Sequence, residues 1–290
     1  MTTQTVPADA PPVVRLSPAG VRHDLRAIRV VWQRELIAFS RNRVRILVAL
    51  VQPILYLFVL GTGLSHLASS GAPGINFRTF MFPGVLALAV LMPSFFTAGS
   101  IVFDREFGFL REMLVAPIRR SSIVIGKCLG GTTVAAFQGG LLLVFAGPAG
   151  VPYNPLMLLT LIGELALLSF ALVSFGVCMA ARISQWQSFM AVIQLAIFPL
   201  LFLSGAMFPL TGLPSWLAFL TRLDPITYAV DPMRHTVFDQ LRIPPFTRHL
   251  LNPGVTWAGW HVATGLELAI VAVMGGIMLT GAIVQFQRID

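Results

Sequence analysis

Six long apolar runs divide the chain, at residues 46–64, 82–103, 123–147, 156–181, 187–208 and 259–286. Each approaches or exceeds the roughly 18–20 residues needed to cross the hydrocarbon core of a bilayer. Lipid offers the backbone no hydrogen-bonding partner, so runs of this length predict helices rather than buried strands. Pro53, Pro93 and Pro199 fall inside three of them and predict kinks, because neighbouring helices in a bundle can satisfy the freed carbonyls. A different pattern precedes the first run. Val21, Leu25, Ile28, Trp32, Leu36 and Phe39 recur at steps of three and four, with Arg22, Arg26, Arg29, Arg34 and Arg41 largely off that stripe. Residues 21–45 therefore predict an amphipathic helix lying in the membrane interface, with guanidinium groups at the lipid phosphates. A helix packed on a protein partner is the alternative. Residues 1–20, rich in Pro, Ala and Thr, show no periodicity and read as a disordered tail without the apolar centre of a cleavable signal.

Composition agrees with a lipid environment. The chain is 56% hydrophobic and 11% charged, against about 25% charged in soluble domains. Its net charge of +8 comes from nineteen arginines and one lysine. Nucleic-acid binding needs a basic face on a soluble fold, whereas these arginines flank apolar runs. Fifteen basic residues fall on the side holding both termini, the 104–127 loop and the 182–186 turn; five fall on the other side. That asymmetry places the first side in the cytoplasm and makes 209–258 the main extracytoplasmic segment. Cys128 and Cys178 lie near cytoplasmic helix ends, which argues against a disulfide framework.

The sequence holds no HExxH, CxxC or Gly-x-Ser-x-Gly pattern and no metal-ligand spacing, so a membrane-embedded enzyme is disfavoured. Gly126-Lys127 is followed by Cys128, and Ser121 stands where a phosphate-binding loop needs its first glycine. Leu203-Ser204-Gly205-Ala206 lies inside an apolar span. No nucleotide-binding motif remains. The loop over 104–117 is more informative: Asp104, Arg105, Glu106, Arg111 and Glu112 alternate in sign, with Phe107, Leu110 and Leu114 on one side and Pro117 ending the stretch. Such a helix can dock into a partner's groove, charges fixing register and Phe107 or Leu110 filling a pocket, or it can lie on the membrane. Glu164 and Glu267 each fall about eight residues into a predicted span, at matching depth. Each carboxyl either lines a polar path or is neutral or bonded to a neighbouring helix.

The runs FPGVLALAVLMPSFFTAGSIVFDREFGFLREMLVAPIRR and SGAMFPLTGLPSWLAFLTRLDPITYAVDPMR, with the amphipathic helix ahead of span 1, carry a resemblance. In the second run Pro209, Leu213-Pro214, Trp216, Leu217, Asp224-Pro225, Tyr228 and Arg234 follow one family's order, with Asp231 between the last two. The chain resembles the permease subunit of type-2 ATP-binding-cassette exporters, in the drug and lipo-oligosaccharide branch. Asp224 stands where that family more often has Asn.

The resemblance implies an all-α integral membrane fold. It has six transmembrane helices over 46–286, an interfacial helix, a cytoplasmic coupling helix and a re-entrant extracytoplasmic segment broken by Pro209, Pro214, Pro225 and Pro232. It implies two permease copies with two copies of a separate ATPase, which carries the ATP and Mg, in a bacterial cell membrane. The coupling residues implied are Asp104, Arg105, Glu106, Phe107, Leu110, Arg111 and Glu112, with Trp32, Arg34 and Glu35 on the interfacial helix. Spans 2 and 5 would face each other across the dimer axis, with Met92, Phe95, Phe96, Phe198, Phe202 and Met207 as a greasy path for amphipathic substrates. Gly126, Gly130, Gly131, Gly139, Gly140, Gly275, Gly276 and Gly281 permit close helix approach. A secondary transporter is the rival reading, but no inverted repeat is found.

Overall fold

The computed structural model describes residues 21–63, 65, 76–109, 119–207, 214–241, 243–244, 247, 251–252, 254–257 and 260–288. Among them six helices are long and apolar enough to cross a membrane: Arg43–Gly63, Phe77–Glu106, Arg120–Phe145, Pro155–Ala180, Trp186–Leu203 and Thr264–Gln287, here spans 1 to 6. Pro53, Pro93 and Pro199 all lie inside helices. After Pro53, span 1 loosens into a π-helical turn over Tyr56–Leu60.

Span 2 is the centre of the bundle. It packs on spans 3 and 4, and span 6 packs on span 4. Of its most apolar window 78% is buried within the chain, against 17% for spans 1 and 5. Helices apolar all round suit burial or lipid contact, and spans 1 and 5 present most of their surface outward. Span 2 also meets the turn after span 5 so closely that a Cβ on Gly84 would stand 2.0 Å from the Ala206 carbonyl oxygen. Gly140 and Gly276, by contrast, meet nothing within 4 Å, so the packing role expected of them is not found.

The N-terminal helix, Val21–Arg41, runs alongside span 3 in the same direction. Asp24 pairs with Arg119 at 3.4 Å, Trp32 Nε1 donates to Thr133 Oγ1 at 3.1 Å, and Phe39 meets Phe137 edge-on. Gly126 and Gly130 open the surface of span 3 to Val31 and Glu35. The buried face is thus Ala27, Val31 and Glu35, while Val21 and Leu25 of the expected stripe are exposed. Nor does one helix fill 21–45. It stops at Arg41, and Asn42 caps span 1 by accepting the Arg45 backbone N–H at 3.1 Å.

Short helices Ser215–Thr221 and Thr227–Phe238 belong to the segment expected outside the cell, and are called the outer helices on that expectation. Pro214 and Pro225 bound them, but Pro232 lies inside the second without breaking it. That second helix is buried against spans 2, 4 and 6. A two-stranded antiparallel ribbon, Thr256–Trp257 with Trp260–His261, then leads into span 6. Span 6 therefore begins at Thr264 rather than 259.

Candidate functional site

The end of span 2 and the start of span 3 meet the N-terminal helix in a buried ionic knot. Lys127 Nζ lies 2.7 Å from Asp104 Oδ2 and 3.1 Å from Glu35 Oε1. It also donates to Ser100 Oγ at 2.8 Å. Arg34 reaches Asp104 Oδ1 at 2.7 Å. Lys127, Asp104 and Glu35 are nearly inaccessible. Charges this deep persist only when paired, because desolvation costs several kcal/mol per ion. No sequence motif marks Lys127, because the Gly126-Lys127-Cys128 run is not a phosphate-binding loop. The signal that could have found it is a lone cation inside an apolar run, opposite acids on two other helices.

The next two residues act across the chain. Arg105 donates from Nη1 to the Ile183 carbonyl at 3.1 Å and from Nη2 to the Ala181 carbonyl at 3.2 Å. It is a cation at the C-terminus of span 4. Glu106 accepts the Trp186 backbone N–H at 2.8 Å, an anion at the N-terminus of span 5. Both placements match the sign of the helix dipole. Asp104, Arg105 and Glu106, expected to face a partner, are engaged inside the chain, and span 2 continues through Glu106. Beyond it Gly108 takes a positive φ of 83°, and Phe107 and Phe109 stand exposed. Leu110, Arg111, Glu112 and Leu114 lie outside the described residues.

The six expected path residues divide. Met92, Phe95 and Phe96 line a cavity of about 360 Å³ between spans 1, 2, 3 and 5. Of these the Phe95 ring is 1% exposed and packs on Phe175 and Gly176, so it joins the core to the cavity wall. Phe198 and Phe202 are exposed on span 5 and line neither this cavity nor the larger one beside it. Met207 is half-buried past the end of span 5. Arg45, Gln52, Gln138 and Gln194, which the sequence reading passed over, line the cavity.

The acids separate too. Glu164 sits about 13 Å along span 4, whereas Glu267 is in the first turn of span 6; their depths do not match. Both nevertheless turn to the second outer helix. Thr236 donates to Glu164 Oε1 at 3.0 Å, and Glu267 lies beside Asp231. Neither lines the two cavities.

The rest of the outer motif holds that helix in place. Tyr228 Oη donates to the Arg222 carbonyl at 2.9 Å and accepts from Trp257 Nε1 at 3.0 Å. Arg234 donates to the Gly205 carbonyl at 2.8 Å and lies over the Phe80 ring. Asp231 Oδ2 accepts the Val255 N–H at 3.1 Å. Asp224 Oδ1 accepts the Ile226 N–H at 2.9 Å, a turn that Asn can make equally well, so the departure from the family's Asn leaves this bond intact. Burial pushes the Asp224 carboxyl well above the ordinary range. Trp216 is exposed on the first outer helix, and Pro209 lies outside the described residues.

A tight core of spans 2, 3, 4 and 6, two loosely held spans, a docked amphipathic helix and a buried outer helix define a multi-pass membrane permease. The comparisons agree. The profile of the ABC-2 type transporter family matches residues 26–238, and the chain belongs to that family. It is similar to nodulation protein J of Rhizobium leguminosarum bv. trifolii, 30% identical over 207 residues, covering 70% of this chain and 78% of the relative. It is also similar to the transport permease ycf38 of Cyanophora paradoxa, 29% identical over 219 residues, covering 72% and 73%. Membership makes the chain a permease subunit and implies an ABC ATPase partner.

Proposed function

We propose that the chain is the membrane subunit of an ATP-driven exporter of amphipathic substrates, working as a pair of permeases with two copies of a separate ATPase and both termini in the cytoplasm of a bacterial cell. The observation that carries this reading is the cytoplasmic junction. Lys127, Asp104 and Glu35 join the N-terminal helix to spans 2 and 3, while Arg105 and Glu106 join span 2 to spans 4 and 5. A push on Phe107 or Phe109 therefore reaches most of the bundle through short, charge-assisted bonds. ATP-driven closure of the partner supplies the push, and the exposed rings beyond Glu106 are where it is received. The loosely held spans 1 and 5 are the surfaces that face the second copy and move. The test is reconstitution of the permease with its ATPase in vesicles. Uptake of an amphipathic dye into inverted vesicles should require ATP and both polypeptides. ATP hydrolysis by the purified permease alone, or uptake without the ATPase, would refute it.

A further inference from the structure

Two hollows adjoin between the N-terminal helix and spans 1, 2 and 5, and Arg45 and Phe96 line both. The larger, about 750 Å³, is lined by Arg34, Glu35, Asn42 and Asp104 together with apolar groups such as the Phe103 and Trp186 rings. The smaller is walled mainly by apolar side chains such as Val48, Met92 and Ile193. Such volumes lie in the range of small-molecule sites. A chamber of mixed lining thus adjoins a mainly apolar one, with the Arg45 guanidinium on the wall of both.

Arg45 lies 4.9 Å above the Phe96 ring and makes no ion pair among the described residues. The nearby carboxylates are engaged elsewhere: Asp104 by Lys127 and Arg34, Glu35 by Lys127. A second observation is independent of the first. Gln138 of span 3 lines the apolar chamber and is 2% exposed. Its Nε2 has no hydrogen-bond partner among the described residues. A buried donor without a partner is unfavourable, and an acceptor oxygen brought by a ligand removes that cost.

We propose that the two chambers form one binding site for an anionic amphiphile. A phosphate or carboxylate head pairs with Arg45, an oxygen at the root of the tail accepts from Gln138, and the tail lies against Val48, Met92 and Ile193. The site names a cargo class for the exporter reading and rests on that reading for its purpose. Binding itself needs neither ATP nor the ATPase. The same chemistry is offered by a bilayer lipid and by an amphiphile arriving from the cytoplasm.

The test uses the full-length permease in phosphatidylcholine nanodiscs, without nucleotide, titrated with lysophosphatidic acid brominated in its acyl chain. Of the five tryptophans, Trp186 borders the larger chamber, so saturable quenching should largely disappear in Trp186→Phe. Arg45→Gln should weaken binding roughly tenfold or more, the loss expected for a charge-assisted contact. Gln138→Leu should weaken it several-fold without lowering the thermal midpoint, since it removes an unpartnered amide. Brominated monoacylglycerol should bind wild type no better than the anionic probe binds Arg45→Gln.

Phosphatidylglycerol in the disc should compete with the probe if the bilayer supplies the ligand, and should leave the titration unchanged if the cytoplasm does. Equal binding of neutral and anionic probes overturns the proposal, as does indifference to both substitutions. Full displacement by inorganic phosphate also overturns it, by reducing the site to a plain anion site. A Val48→Cys disulfide to a second copy, formed with loss of probe binding, would show that another chain fills the hollow. Failed binding beside intact ATP-dependent export would sink the site and leave the exporter reading standing.

Discussion

The Lys127 ammonium lies 2.7 Å from the Asp104 carboxylate, and both side chains are all but closed to their surroundings. Removing the cation leaves Asp104 with Arg34 alone and Glu35 without its ion pair. Lys127→Met should therefore cost about 3–5 kcal/mol, the range for breaking a buried pair. The measurement is the thermal midpoint and folded yield of the purified permease. Adding Asp104→Leu should recover part of the loss, because an apolar pair replaces half an ionic one. Strictly additive losses would mean that the two groups are not coupled.

Phe107 is 60% exposed, so its truncation separates docking from folding. Phe107→Ala should leave permease stability within about 0.5 kcal/mol, as for other surface changes. Recovery of the complex on pull-down and stimulation of the ATPase should fall together, by the about 2 kcal/mol typical of an interface anchor. Pairing it with Glu112→Arg should deepen the loss. Normal coupling in that double variant, present at normal levels, would remove these residues from the interface.

Two glycines of equal size give opposite forecasts. A Cβ at position 84 collides with the Ala206 backbone, which cannot yield as a side-chain tip can, whereas one at position 140 meets open space. Gly84→Ala should lower the thermal midpoint sharply or prevent recovery of folded protein. Gly140→Ala should be silent or slightly stabilising, since alanine is the better helix former. If both behave alike in a detergent melt, the close approach of span 2 to the 204–207 turn is wrong.

Orientation can be read by labelling. Cysteine at position 242, on the side poor in arginine, should react with an impermeant maleimide on intact cells. Cysteine at position 115 should react only after permeabilisation. The reverse pattern would turn the chain over in the membrane and undo the exporter reading.

The spans were legible because an apolar run of 18 or more residues overrides most local signals. Their ends were less so. Trp257, Trp260 and Val262 extend the apolarity of span 6 outward, yet they belong to the ribbon and its exit. Asp104, Arg105 and Glu106 lie beyond the apolar run, yet they form the last turn of span 2 and each charge is satisfied by another element. Phe95 and Phe96 show the deeper limit. They are the same residue type side by side, but about 100° apart around the helix. Phe95 is packed into the core at the wall of the smaller cavity, whereas Phe96 is exposed and borders both cavities. The apolar run on all sides of span 2 gives no face to choose, so only the packing of spans 3 and 4 decides between them.

The caps contributed by Arg105 and Glu106 have a consequence for how the chain is made. Both belong to span 2, which leaves the ribosome well before the 181–186 turn whose carbonyls and amide they bind. When spans 4 and 5 emerge, the groups that finish their facing ends already stand side by side, a cation for the carbonyl end and an anion for the amide end. Biogenesis of the hairpin is thus templated by earlier chain, and a fault at Arg105 or Glu106 should surface first as late spans left waiting at the insertion machinery.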